Sequence, residues 1–241
     1  MQTSPWLALV ISLSPEELTA VGVSLKVASV ATVVSLPIGV FAALALARWR
    51  FFGKTLLDGV IHLPLVLPPV VTGYVLLMLL GRRAPLGAFL ADNFGIVFAF
   101  RWTGAALASG VMGFPLMVRA IRLSIDAVDR RLEAAAGTLG AHPLWVFLVV
   151  TLPLALPGVL VGAILCFAKA LGEFGATITF VSNIPGQTQT ISAAIYTLTQ
   201  VPNGEVGAFR LTLISVSIAL TALIASEILQ RWTSRQFHPI E

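Results

Sequence analysis

Charged residues are scarce in this sequence of 241 residues. Lys, Arg, Asp and Glu make up 11 % of it, against about 25 % in a typical soluble domain, and 57 % of the residues are hydrophobic. So few charges exclude a soluble globular enzyme or binding module and predict an all-α integral membrane protein. The length suffices for roughly five or six spans of about 20 residues, and it leaves no room for a separate soluble catalytic domain.

Reactive and metal-binding side chains are also few. Cys166 is the only cysteine, which excludes a disulfide framework and a cysteine-based metal site. The three histidines, His62, His142 and His238, are far apart, and no nucleophile lies at a usable spacing from a base. We therefore expect no catalytic residue, no metal and no cofactor bound by this chain, and a membrane enzyme is a weak alternative.

The basic residues are scattered in twos and threes at the ends of apolar runs. A nucleic-acid-binding surface needs a contiguous basic stripe, so the pattern predicts contact with membrane lipid and none with nucleic acid. Nine basic residues fall at predicted cytoplasmic ends: Arg48, Arg50, Lys54, Arg119, Arg122, Arg130, Arg131, Arg231 and Arg235. Four lie on the outer side (Arg82, Arg83, Arg101, Arg210) and two within spans (Lys26, Lys169). The bias predicts an inner or plasma membrane protein with its N-terminus outside and its C-terminus in the cytoplasm.

Five apolar stretches predict the membrane spans of one transmembrane domain, residues 18–232. The spans are expected at about 18–47, 56–80, 102–118, 157–178 and 208–229. Residues 1–17 predict an interfacial segment, because their apolar run is too short to cross, and 233–241 a cytoplasmic tail. A sixth span is an open alternative, if 1–17 or 144–153 crosses the membrane.

Prolines interrupt the second span. Pro64, Pro68 and Pro69 remove amide donors inside an apolar run, so we expect broken or kinked backbone there. Broken backbone is tolerated where it is buried in protein or lines a cavity, which favours a gate or pathway helix over a simple packing kink. In the fourth span Lys169 and Glu173 stand four residues apart on one helical face. They are pathway candidates, and an ion pair that anchors the helix near the outer interface is the alternative.

The segment 130–153 is charged, rich in alanine and punctuated by glycine. Its alanines favour a helix, Gly140 permits close approach, and Pro153 is expected to stop or bend the chain. We expect a short helix that fits a groove on another protein. Residues 144–153 are then expected to lie along the membrane surface as a lead-in to the fourth span.

Glu133, Ala134, Ala135 and Gly140, followed by Leu152-Pro153, resemble the EAA motif of type I ABC-transporter permeases. Gly140 and Pro153 stand thirteen apart, as in that pattern. Glu133 and Gly140 stand seven apart where six is usual, so either the motif carries one extra residue or Ala134 takes the place of the glutamate. The resemblance implies the fold of a type I ABC transporter transmembrane domain, with a cytoplasmic coupling helix that docks on a separate ATPase.

Three further stretches resemble the permeases of molybdate transporters. They are HLPLVLPPVVTGYVLL at 62–77, FPLMVRAIRLSIDAVD at 114–129 and LGEFGATITFVSNIPGQTQTISAAIYTL at 171–198. The resemblance implies an ATP-driven molybdate importer: a permease homodimer, two ABC ATPase subunits that use the ATP, and an extracytoplasmic molybdate-binding protein. Sulfate and tungstate permeases are near relatives. Neutral groups expected to offer hydrogen bonds along the pathway are Thr72, Thr177, Thr179, Ser182 and Asn183.

Two alternatives of other classes remain at this point. An ATP-independent ion channel or ion-coupled transporter fits the apolar spans and leaves the 130–153 segment without a role. A purely structural or assembly protein is a minor alternative that the composition alone does not exclude. Co-purification of a stoichiometric ATPase with this chain separates all of these from an ABC permease.

Overall fold

The computed structural model describes the backbone of residues 13–237 and the side chains of residues 13–228, and all regular structure within it is helical. The helices are α1 Pro15–Arg48, α2 Lys54–Val66, α3 Pro69–Leu80, α4 Pro85–Phe94, α5 Trp102–Ala127, α6 Arg130–Thr138, α7 Pro143–Val146, α8 Leu152–Leu171, α9 Gly175–Val181, α10 Ile191–Leu198 and α11 Glu205–Phe237. A π-helical turn, Phe147–Thr151, joins α7 to α8 without a break.

Helix α1 begins inside the segment predicted to be interfacial. The Glu17 amide donates to Ser14 Oγ at 3.2 Å, and the Ser14 amide donates to Glu17 Oε2 at 2.7 Å. This capping box satisfies two amides that the first helical turn leaves unpaired, and it fixes the helix start at Pro15. Residues 1–12 of that predicted segment lie outside the described residues.

Four helical segments are long and apolar enough to cross a membrane in the part of the chain that the structure describes. They are Pro15–Arg48, Trp102–Ala127, Pro143–Leu171 and Glu205–Ile228. Helices α2 and α3 are together also long and apolar enough to cross, but the chain bends by 118° between them. The bend falls between Val66 and Pro69, so the break expected from the prolines is present, and the count is five if the pair forms one span.

The region around Pro153 differs most from expectation. A separate surface lead-in was expected at 144–153, and instead Pro143–Leu171 is one continuous helical segment. Pro153 lacks an amide hydrogen and its ring crowds the preceding turn. The wider π turn absorbs this defect, with the Leu152 amide donating to the Phe147 carbonyl. Residues 144–153 therefore begin the fourth span and add no further crossing.

Three other boundaries differ from the sequence-based prediction. The fourth span ends at Leu171 and not near 178, because Gly172 ends α8 and a separate helix, α9, follows. The stretch 81–101 between the second and third predicted spans contains α4, and α11 continues to Phe237 within the predicted tail. The stretch between the fourth and fifth predicted spans contains α9 and α10.

The bundle is built on close contact between α5 and α8, and small residues make that contact. A Cβ on Gly158 would lie 2.2 Å from Ser124 Cβ, and one on Gly162 would lie 2.9 Å from the Met117 carbonyl oxygen. Gly158 and Gly162 therefore face α5 of the same chain. Because α5 and α8 pack closely, their ends hold α6 and α9, the helices that follow them, in defined positions.

Candidate functional site

Helix α6 lies at the end of the bundle where α1 ends and α5 turns back. Asp129 caps its first turn, with Oδ1 accepting from the Arg131 amide at 2.9 Å. Gly140 follows its last turn with φ +85°, in the left-handed region that favours glycine. Apart from Gly140 itself and its two chain neighbours, no atom of the described residues lies within 4 Å of the place where a Cβ on Gly140 would stand. Within this chain Gly140 is therefore required by the turn that ends α6.

One face of α6 is apolar and points away from the bundle. Leu132 is 49 % exposed and Leu139 is 88 % exposed, with Ala135 exposed between them. Leu132 and Ala135 share a helical face, and Leu139, the residue that directly follows α6, continues it. We call the surface of these three residues the α6 outer face. Beyond it Leu144 and Trp145 are also exposed. An uncovered apolar surface of this kind is typical of a protein interaction site.

Glu133 does not belong to the α6 outer face. Its Oε1 accepts from Arg48 Nε at 3.1 Å and from Thr151 Oγ1 at 2.7 Å. The acidic residue of the motif thus points back into its own chain. Sequence reasoning missed Thr151 altogether and treated Arg48 only as a marker of topology, because contacts to residues 18 and 85 positions away leave no local signal.

The remaining motif residues are divided between two places. Ala134 and Ala135 are exposed on α6, as is Gly140 just after it. Leu152 packs on the buried cluster around the ends of α1 and α5, and Pro153 lies at the exposed start of α8. The segment 130–153 therefore has an exposed part, α6 and Gly140, and a part that packs on the bundle, at Leu152.

Lys169 and Glu173 form an ion pair at the other end of α8. Lys169 Nζ lies 2.9 Å from Glu173 Oε2, and the Glu173 side chain is 1 % exposed. The second carboxylate oxygen accepts from the Ala176 amide at 3.0 Å, so Glu173 also joins α8 to α9. The Lys169 side chain remains about a third exposed at the surface of this chain.

The broken helix packs against the same place. A Cβ on Gly73 of α3 would lie 2.5 Å from the Ala176 carbonyl oxygen, and one on Gly175 would lie 2.7 Å from Pro69 Cβ. Pro69 and α3 are thereby brought to the junction that Glu173 stabilises. Thr72 is buried on α3, and its Oγ1 has no hydrogen-bond partner among residues 13–228.

The other predicted pathway residues are placed differently. Thr177 and Thr179 donate to carbonyl oxygens within α9 or at its start, at 2.9 Å each, and Asn183 donates to Thr197 Oγ1 at 2.7 Å. Ser182 is exposed, with φ +65°. Pro64 lies apart and lines an apolar groove of about 530 Å³ between α1, α2 and α5, while Pro68 lies at the bend itself.

Comparison with known proteins identifies the family. A family model described as "Binding-protein-dependent transport system inner membrane component" matches residues 35–236. The chain is 60 % identical over 219 residues to the molybdenum transport system permease protein ModB of Escherichia coli K12, which covers 91 % of this chain and 96 % of that protein. It is 54 % identical over 220 residues to ModB of Haemophilus influenzae, which covers 91 % and 94 %.

The fold agrees with this assignment. The crystal structure of a bacterial alginate ABC transporter, in complex with its alginate pentasaccharide-bound periplasmic protein, contains a chain that matches with a TM-score of 0.71. The match covers 97 % of this chain and 84 % of that one at 16 % identity, and it shows the fold of a type I ABC transporter transmembrane domain. This chain belongs to the family of inner membrane components of binding-protein-dependent transport systems.

Proposed function

We propose that this chain is the membrane-spanning permease of an ATP-driven importer for molybdate. Two copies would line one pathway, two separate ABC ATPase subunits would bind below, and an extracytoplasmic molybdate-binding protein would deliver the anion. In this proposal the chain itself catalyses no reaction and binds no cofactor, and ATP is used by the partner subunits.

The substrate is supported by similarity to the molybdenum permeases. Identity of 60 % extends over nearly the whole length of both proteins. The alginate transporter of the same fold, solved together with a periplasmic substrate-bound protein, supports delivery by a separate binding protein.

Coupling to an ATPase is supported by the α6 outer face, which is the single observation that carries the mechanism. A short helix that presents Leu132, Ala135 and Leu139 to the outside suits insertion of a helix into a groove on a partner. The basic residues at this end, Arg130 and Arg131, favour a cytoplasmic location, where an ATPase would bind.

The homodimer is supported by Lys169. A charged side chain within a span is costly unless it faces protein or water. Lys169 is paired with Glu173 yet keeps about a third of its side chain exposed. A second copy packed beside the α3–α9 junction would enclose this face, and the pathway would then run between the two copies.

Uptake in proteoliposomes tests the proposal. The permease is reconstituted with its ATPase and binding protein, and entry of labelled molybdate is followed with ATP and with a non-hydrolysable analogue. We expect uptake with ATP and none with the analogue. We also expect unlabelled molybdate to compete at a much lower concentration than sulfate does. Uptake that continues with the analogue would support an ATP-independent channel instead. Equal competition by sulfate or tungstate would reassign the substrate while leaving the ABC mechanism in place.

A further inference from the structure

We propose that Glu133 is an internal tether and not a contact to the ATPase. With Arg48 and Thr151 it forms a clamp, the Arg48–Glu133–Thr151 clamp, that passes movement of α6 to the spans α1, α5 and α8. Arg48 and Thr151 are then positioning residues for transport. This inference rests on the proposed function, because coupling has meaning only if a separate ATPase moves α6.

Both donors of the clamp meet on one oxygen atom. Arg48 Nε and Thr151 Oγ1 lie 3.1 and 2.7 Å from Glu133 Oε1, and the Glu133 side chain is 19 % exposed. Hydrogen bonds to a carboxylate are stronger than those between neutral groups, and partial exclusion of water strengthens them further. A displacement of Glu133 is thus transmitted to both donors at once.

Arg48 joins three helices. It is the last residue of α1, and its Nη2 donates to the carbonyl oxygens of Ile125 at 2.8 Å and Val128 at 3.1 Å. These carbonyls lie at the C-terminal end of α5, which carries partial negative charge, and the Ile125 oxygen also accepts from the Val128 amide at 3.1 Å. The Arg48 side chain is only 11 % exposed. One guanidinium therefore connects α1, the end of α5 and α6.

Thr151 extends the connection along α8. It is 2 % exposed and is the last residue of the π turn that leads into α8. Lys169 lies 18 residues further along this helical segment, about 27 Å away at the rise of an α-helix. Since α8 is closely packed on α5, movement at Thr151 reaches the Lys169–Glu173 pair through a stiff element.

Helix α6 has little other attachment to the bundle. None of its nine residues is buried against the described chain. Arg130 Nη2 makes a longer contact of 3.4 Å to the Ala47 carbonyl oxygen. A cleft of about 390 Å³ lies between α6, the end of α1 and the π turn. A nine-residue helix is marginal by itself, so the clamp determines where α6 is held.

Two variants at Thr151 provide a matched test. Thr151→Val keeps the shape of the side chain and removes the hydroxyl, while Thr151→Ser keeps the hydroxyl. In the purified full chain we expect Thr151→Val to speed amide hydrogen exchange across residues 130–138 roughly fivefold, the factor that corresponds to one net hydrogen bond, and Thr151→Ser to leave it near the wild-type rate.

The second readout is the number of molybdate ions imported for each ATP hydrolysed by the assembled transporter. We expect Thr151→Val to lower this ratio by a similar factor, roughly fivefold, without loss of the bound ATPase. In the Glu133→Ala background Thr151→Val should add nothing, because the shared oxygen is already absent. A residue with only a structural role would lower the yield of complex and leave the ratio unchanged.

Unchanged amide exchange in Thr151→Val would overturn the clamp itself. Faster exchange with an unchanged ratio would restrict the clamp to a structural role and overturn its part in coupling. In both cases wild-type uptake remains dependent on ATP. Wild-type uptake that needs no ATP would instead overturn the proposed function, and the coupling role with it.

Discussion

Gly73 of α3 lies against Ala176 of α9 so closely that a Cβ on Gly73 would stand 2.5 Å from the Ala176 carbonyl oxygen. This contact holds α3, which follows the proline break, against α9, the short helix that follows α8. Both elements carry residues proposed to line the pathway, so in that proposal the contact would fix the position of one part of the pathway wall.

The first prediction concerns this contact. Gly73→Ala forces the α3 and α9 backbones apart, and we expect it to destabilise the purified protein by about 1–3 kcal/mol, as overpacking usually does. Gly59→Ala is the matched control, because nothing lies within 4 Å of a Cβ at that helical position. Thermal unfolding in one detergent measures both. Equal midpoints for the two variants would contradict the close contact.

The second prediction concerns the ion pair between the starts of α1 and α11. Arg210 Nη2 lies 2.7 Å from Glu17 Oε1, and the two side chains are 13 % and 6 % exposed. Glu17→Gln replaces the carboxylate of a mostly buried ion pair with a neutral amide, which we expect to lower the free energy of unfolding by about 1–3 kcal/mol. Glu16→Gln, at an exposed position in the same helical turn, should be close to neutral. Matching losses of unfolding free energy in the two variants would rule out a special role for the pair.

The third prediction concerns Gly140, which could be required either by the left-handed turn after α6 or by the close approach of a partner. Gly140→Ala places a side chain at φ +85° and should cost about 1–2 kcal/mol at the end of α6. Gly137→Ala, in the helix with open space around it, should strengthen α6. Amide exchange of residues 130–138 reads both effects. If the two alanine variants change amide exchange in the same direction, the left-handed turn is not the reason for a glycine at 140.

Much of this architecture could be predicted because its causes are local. Prolines at 64–69 remove amide donors wherever they stand, and the small residues of α5 permit close packing in any apolar bundle. The continuous helix through Pro153 could not be predicted, because proline ends most helices and nothing nearby signals a π turn.

The clamp was missed for a different reason. Arg48, Glu133 and Thr151 are brought together by the packing of α1, α5 and α8. Before that packing is known, Arg48 is one of several cations at a predicted cytoplasmic end, and Glu133 is the first residue of a recognisable motif. The direction of the Glu133 side chain, inward or outward, is decided by partners far away in the sequence.

The central claim is that the α6 outer face binds a separate ATPase. Leu139→Gln changes its most exposed residue, and Leu86→Gln on α4 is the control, since Leu86 is 52 % exposed and lies outside α6. The measurement is the amount of ATPase that co-purifies with each permease variant from membranes. We expect an equimolar ATPase with the wild type and with Leu86→Gln, and at least about tenfold less with Leu139→Gln, as for an exposed anchor residue at an interface. Equal recovery with Leu139→Gln, or no ATPase with the wild type, would contradict it.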